Sequence, residues 1–175
     1  MARANEIEFR AAHVDAGPGG ELAQAMREEI AEIYDGLELD GPSMPRAGAE
    51  ELSPPGGAFF VGWRDGAPIC CGGLKRLSEG TCEIKNMYVA PAARGQGGAR
   101  KLLHALERAA RELGYDVARL DTGPKQLHAR ALYADEGYEA VEDFNGNPVA
   151  VFWGEKGLGG WGPPDSPGYG NGRGR

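Results

Sequence analysis

TCEIKNMYVAPAARGQGGARKLLHALERAARELG, residues 81–114, carries three structural signals in succession. Its first part, Cys82 to Val89, is rich in β-branched, aromatic and other apolar residues and ends at Ala90-Pro91, which predicts a strand. A glycine-rich turn follows, Arg94-Gly95-Gln96-Gly97-Gly98-Ala99. Apolar residues then recur at Ala99, Leu102, Leu103, Leu106, Ala109, Ala110 and Leu113, the stripe of an amphipathic helix that Gly114 stops. A strand feeding a helix through glycines presents free backbone N–H groups at the positive end of the helix dipole, where phosphate binds well. Two familiar phosphate loops do not fit. Gly-x-x-x-x-Gly-Lys-Ser/Thr is absent, and a dinucleotide fingerprint needs a small third residue where Arg100 stands.

Composition narrows the class. A chain of 175 residues predicts one domain with a sizeable core. A net charge of −7 argues against nucleic acid as the main partner and is compatible with a cationic small substrate. The opening MARANEIEFR lacks the apolar core of a signal peptide and no apolar run approaches membrane-spanning length, so no membrane partner and a cytoplasmic location are expected. Cys70, Cys71 and Cys82 are odd in number, two are adjacent, and they lack zinc spacing with the three histidines. They read as buried strand residues in a reducing compartment. His104 falls on the polar face of the central helix with Lys101, Glu107 and Arg108; His128 and His13 read as surface residues.

Outward from the central stretch, Glu6 to Ala12 predicts a first strand and Gly17-Pro18-Gly19-Gly20 a break. Leu22, Met26, Ile30 and Ile33 predict a helix from Glu21 to near Gly36. Leu37 to Gly57, with four prolines and four glycines, predicts a long loop of the kind that often binds ligand. Two apolar runs around Arg64-Asp65-Gly66-Ala67 predict a hairpin, and three antiparallel strands then precede the glycine turn. Beyond the central helix come a strand, Asp116 to Asp121, and a helix from about Lys125 to Glu136, with Pro124 suited to its first turn. Tyr138 to Asp143 and Val149 to Trp153 predict a final strand pair around Asn145-Gly146. Residues 1–156 form the expected domain. The Gly/Pro-rich stretch 157–175 is expected to be disordered, with Trp161 and Tyr169 incidental.

The segment Arg94-Gly95-Gln96-Gly97-Gly98-Ala99 resembles the acetyl-CoA signature of the GNAT-superfamily N-acetyltransferases, Gln/Arg-x-x-Gly-x-Gly/Ala, in the strand–turn–helix context that motif needs. Gln126-x5-Leu132-Tyr133-x3-Gly137-Tyr138 is similar to a second family element, Asn-x5-Leu-Tyr-x3-Gly-Phe, with Gln at the Asn position and Tyr at the Phe position. The resemblance spans Glu6 to Lys156. It implies an α/β fold of α+β type, acyl-CoA N-acyltransferase-like: a mixed, mostly antiparallel six- to seven-stranded sheet with helices on both faces, splayed between its fourth and fifth strands.

It also implies acetyl-CoA as co-substrate and transfer to an amine by direct attack in a ternary complex. Backbone N–H groups of Gly95, Gln96, Gly97, Gly98 and Ala99, with the charge of Arg94, would hold the pyrophosphate. Met87, Tyr88 and Val89 would offer backbone groups to pantetheine and, through a bulge, an N–H to the oxyanion; Gln126 would contact the same arm. Tyr133 takes the family's general-acid place near the sulfur. Glu83 shares a strand face with Lys85, Met87 and Val89 up to any bulge, and is the candidate base, with a solvated strand-end charge as an equal alternative. A small-molecule amine is the expected acceptor, with a protein or peptide amine as alternative. A non-catalytic acyl-CoA-binding domain is a second class, and a nucleotide-binding oxidoreductase a third. No metal is called for, and a homodimer is compatible with the sequence.

Overall fold

The computed structural model describes residues 6–159. Seven strands form one sheet: β1 (Glu8–Ala11), β2 (Ala58–Arg64), β3 (Ala67–Ser78), β4 (Thr81–Val89), β5 (Val117–Thr122), β6 (Glu139–Ala140) and β7 (Phe152–Gly157), in the spatial order β1-β2-β3-β4-β5-β7-β6. All neighbours are antiparallel except β4 and β5, which are parallel. The helices are α1 (Gly17–Ile33), α2 (Gly98–Glu112) and α3 (Leu127–Asp135). The fold is the expected one.

Each face of the sheet has its own core. Leu102, Leu103 and Leu106 of α2 pack with Leu74, Cys82, Ile84, Ala118 and Leu120 on one face, and Leu22 and Ala23 of α1 pack with Phe59, Val61, Cys71 and the loop residue Leu52 on the other. The three α2 leucines are fully buried, and each such side chain contributes about 1.5–3 kcal/mol. Two-sided burial explains why β3 reads as a continuous apolar run and not as an alternation. All three cysteines are free and buried, and burial pushes their thiols up, Cys70 to about 11 and Cys71 and Cys82 to about 12.

β4 and β5 pair only over Thr81–Glu83 and Val117–Arg119. Beyond those residues the strands diverge, so β4 from Ile84 onward has an open edge toward the fork. β4 also carries a bulge. It advances three residues from Lys85 to Tyr88 while β3 advances two, from Cys71 to Gly73, and Asn86 takes the left-handed φ of +56°. The extra residue reverses the alternation. Cys82 and Ile84 face α2 before the bulge; Met87 and Val89 face α2 after it, with Tyr88 turned to the α1 side. Glu83 and Met87 therefore do not share a face, as unbroken alternation would have them do.

Other expectations shift. α1 begins at Gly17, with Pro18 in its first turn, so the glycines open the helix and do not break the chain. A Cβ on Gly19 would fall 2.2 Å from the His13 carbonyl oxygen, so close packing on the chain leaving β1 dictates the glycine. α3 starts at Leu127, which leaves Pro124 in the preceding turn. Glu107 is not on a polar face. It is 3% exposed, and it accepts bonds from Tyr138 Oη at 3.0 Å and Lys156 Nζ at 2.9 Å. Asn145-Gly146 is not a tight hairpin turn either; β6 is two residues long and an eleven-residue connection, 141–151, leads to β7. The domain also runs past residue 156, since Leu158 is buried in the α2-side core and its N–H donates to Asp116 O. The tail from 160 on, with Trp161 and Tyr169, lies outside the described residues.

Candidate active site

Two hollows meet at the fork. One is a groove running from Gly97 and Ala99 along Val89, Leu102 and Leu132 to Met87 and Tyr133. The other is a cavity of about 160 Å³ on the α1 side, walled by Met26 and Ile30 of α1 and Tyr34 just past its end, by Leu37, Leu39 and Met44 of the long loop, and by Lys85, Asp121, Asn147 and Val149. Met87, Ala129 and Tyr133 line both. The long loop thus lies over the cavity, as expected of it. The loop contributes Leu37, Leu39, Met44, Pro45 and Ala47 to the lining, and its one acidic lining residue, Asp40, is 77% exposed and paired with Arg27 at 3.6 Å.

The glycine turn heads the groove. Gly95 and Gly97 have φ of +76° and +78°, a region other residues enter at a cost of about 1–2 kcal/mol. Nothing lies within 4 Å of where a Cβ on either would sit. Free space thus borders the main chain at the N-terminus of α2, and an anion has room to approach it. A phosphate-accepting helix start joined to an apolar groove that ends at an open strand edge fits the shape and chemistry of acetyl-CoA. The loop is held from outside. Arg94 donates to Val89 O at 2.8 Å and to Glu29 of α1 at 2.7 Å, and its guanidinium lies over the Tyr88 ring; Gln96 accepts from Arg64. Much of the Arg94 charge is therefore met by Glu29.

Tyr133 is 7% exposed, on the inner face of α3. Its hydroxyl points to Met87 Sδ at 3.8 Å, and its ring packs edge-on against Tyr138. Burial, then the charge of Asp121, pushes its phenol well above the usual tyrosine range, so it holds its proton at neutral pH. Gln126 caps the start of α3 and lines the α1-side cavity, not the groove. Its side-chain carbonyl accepts from Gly123 N–H at 3.2 Å and is 3.4 Å from Thr122 Oγ1.

Glu83 is 0% exposed and does not line either hollow. It is no solvated charge. Lys85 Nζ lies 3.0 Å from one carboxylate oxygen, which also accepts from Asn145 at 2.8 Å; Lys75 Nζ is 3.8 Å from the other, which accepts no hydrogen bond. Lys85 and Asp121, 3.9 Å apart, stand between Glu83 and the cavity. Asn145 and Asn147 donate to Asp121 Oδ2 at 2.7 and 2.9 Å. This polar cluster was not foreseen. Its members come from β3, β4, β5 and the 141–151 connection; in the sequence Glu83 stood out as a candidate base and Asn145 only as a turn residue.

The acetyltransferase (GNAT) family model matches residues 23–138. The uncharacterized N-acetyltransferase YjgM of Escherichia coli K12 is 35% identical over 130 residues, covering 69% of this chain and 76% of that protein. The IAA acetyltransferase of Azospirillum brasilense is 37% identical over 90 residues, covering 51% and 59%. Among solved structures, a GNAT-family acetyltransferase of Staphylococcus aureus Mu50 superposes with a TM-score of 0.71 at 19% identity, over 88% of this chain and all of that one. Another, from Elizabethkingia anophelis with acetyl-CoA bound, gives 0.63 at 17%, over 86% and 97%. With the splayed sheet, the glycine turn and these matches in hand, the chain belongs to the GNAT acetyltransferase family and is an acetyl-CoA-dependent acyltransferase.

Proposed function

We propose that the enzyme transfers an acetyl group to the amine of a small molecule by direct attack, with both substrates bound at once. One observation carries this reading: the groove and the α1-side cavity meet at Met87 and Tyr133, so two ligands entering from opposite faces bring their reacting ends together there. Tyr34 and the loop residues roof the cavity, which favours a compact acceptor over a protein terminus.

Acetyl-CoA supplies an activated thioester. The N–H groups from Gly95 to Ala99 hold its phosphates, and Arg94 braces the loop against β4 and α1. The open β4 edge from Met87 to Val89 hydrogen-bonds the pantetheine arm as an added strand would. The bulge turns the β4 main chain at Asn86 and Met87 toward the acyl oxygen. Tyr133 protonates the departing sulfur, a role its protonated, desolvated phenol suits. Gln126 shapes the β5–α3 turn, and Glu83 acts from behind Lys85 without touching substrate.

The test is a panel of small primary amines with acetyl-CoA, read by release of free CoA, beside calorimetric titration of acetyl-CoA alone. Acetyl-CoA binding with turnover of at least one amine is expected. Binding without turnover of any amine would favour a cofactor-binding domain that has lost transfer.

A further inference from the structure

We propose that Asp121, on the fifth strand, binds the acceptor's ammonium group and receives its surplus proton; this rests on the amine-transfer reading above. Asp121 lies two residues beyond Arg119, the last β5 residue paired with β4, as Lys85 lies two beyond Glu83. These two side chains are therefore the first past the fork on the α1 side, and both line the cavity shared with Met87 and Tyr133.

The carboxylate is built to offer one oxygen. Asn145 and Asn147 hold Oδ2. Both amides are themselves fixed: Asn145 Oδ1 accepts from Trp153 Nε1 at 3.0 Å and from Asn147 N–H at 3.1 Å, and Asn147 Oδ1 accepts from Val149 N–H at 3.1 Å. Oδ1 has no hydrogen bond among the described residues, and its nearest cation, Lys85 Nζ, stands off at 3.9 Å. Lys85 is closer to Glu83, at 3.0 Å, so its charge is largely answered there. Of the two acidic residues lining the cavity, Asp40 is at the exposed rim with Arg27, which leaves Asp121 as the inward one. Asp121 and Tyr133 line the same cavity, which lets the two groups serve one reaction.

The chemistry follows from that placement. An alkylamine has a pKa of about 10.4 and arrives as ammonium, which a carboxylate only 10% exposed at the cavity wall attracts. One proton leaves to solvent. The nitrogen lone pair then forms the C–N bond to the acyl carbon as the C–S bond breaks. The nitrogen's surplus proton passes to Asp121 Oδ1, Tyr133 gives its phenolic proton to sulfur, and transfer from Asp121 back to Tyr133 restores both. Met26, Ile30, Leu39, Met44 and Val149 share the cavity wall with Lys85, Thr122, Gln126 and Asn147, so the acceptor class is a primary alkylamine whose body carries both apolar and polar groups.

The test compares the best primary alkylamine of the panel with a primary arylamine, which is neutral at pH 7.5. In Asp121→Asn, kcat/KM for the alkylamine is expected to fall at least about tenfold further than for the arylamine, with acetyl-CoA affinity by calorimetry unchanged. Equal losses for the two amines, or none, would overturn the proposal. Should Asp121→Asn melt early, Asp121→Ser gives the same ratio with less bulk. If wild type binds acetyl-CoA but acetylates neither amine, the amine-transfer reading has failed and the role of Asp121 falls with it.

Discussion

Glu83 and Glu107 are both glutamates sealed inside the protein, one on each face of the sheet, and they are served very differently. Glu107 looks out on nothing. Lys156 meets both its oxygens, at 2.9 and 3.1 Å, and Tyr138 adds a hydroxyl. Glu83 is left with one oxygen lacking a hydrogen bond, and its partner Lys85 opens on the cavity. A closed, fully answered carboxylate belongs to the architecture. A carboxylate left partly unanswered and connected to a cavity is the kind of strain that accompanies function. The contrast teaches that burial alone does not separate structural from functional charges; where their partners lead does.

Four substitutions put the two sites to the test. Lys156→Met should have the largest effect. It leaves the Glu107 charge buried with only a phenol for company, and loss of about 3–5 kcal/mol in urea unfolding is expected. Acetyl-CoA affinity of the protein that remains folded should be normal. Next, Tyr133→Phe removes only the hydroxyl facing Met87. A fall in kcat of about 10²-fold or more, with little change in acetyl-CoA affinity, is the expected result, on the scale of general-acid catalysis. Wild-type turnover would return Tyr133 to packing.

Third, Glu83→Gln should show the open site's character. Freed from its anion, Lys85 turns to Asp121, and kcat/KM for an alkylamine should fall about tenfold, equivalent to 1.4 kcal/mol. A purely structural Glu83 would cost stability and leave turnover by the folded fraction untouched. Smallest is Tyr138→Phe. The hydroxyl at a position where the family carries Phe serves Glu107 alone, and Lys156 remains, so about 1–2 kcal/mol of stability and no activity should be lost. A loss of turnover instead would show that the closed site communicates with the cleft.

How much of this was legible in the sequence depended on how local each feature is. The cofactor end was legible because it is made of backbone: a strand, positive-φ glycines and a helix start lie within a dozen and a half residues, 82–99. Tyr133 was legible through the motif around it. The final strand pair was legible, since β6 and β7 do pair, but the tight turn between them was not: Asn145 gives its side chain to Glu83, Asp121 and Trp153 inside a long connection. Glu107 misled for a related reason. A helix wheel reports one helix, whereas Lys156 and Tyr138 reach Glu107 from elsewhere in the chain. Glu83 was placed on the cavity face by strand alternation, yet Lys85 and Asp121 stand between it and the opening, an arrangement set by residues far apart in sequence.

The extra residue at Asn86 acts in space as a frameshift does in a message. Upstream of it, odd-numbered β4 residues address the acceptor side and even-numbered ones the α2 side; downstream the assignment is exchanged. Deleting a single residue at that point would do more than shorten a strand. It would turn the Met87 and Val89 side chains away from α2, and so take from the groove two of the residues that line it. The part of the loop over the cavity, 37–47, can vary and change which acceptor fits beneath it, whereas β4 must be copied to the letter for two substrates to meet at all.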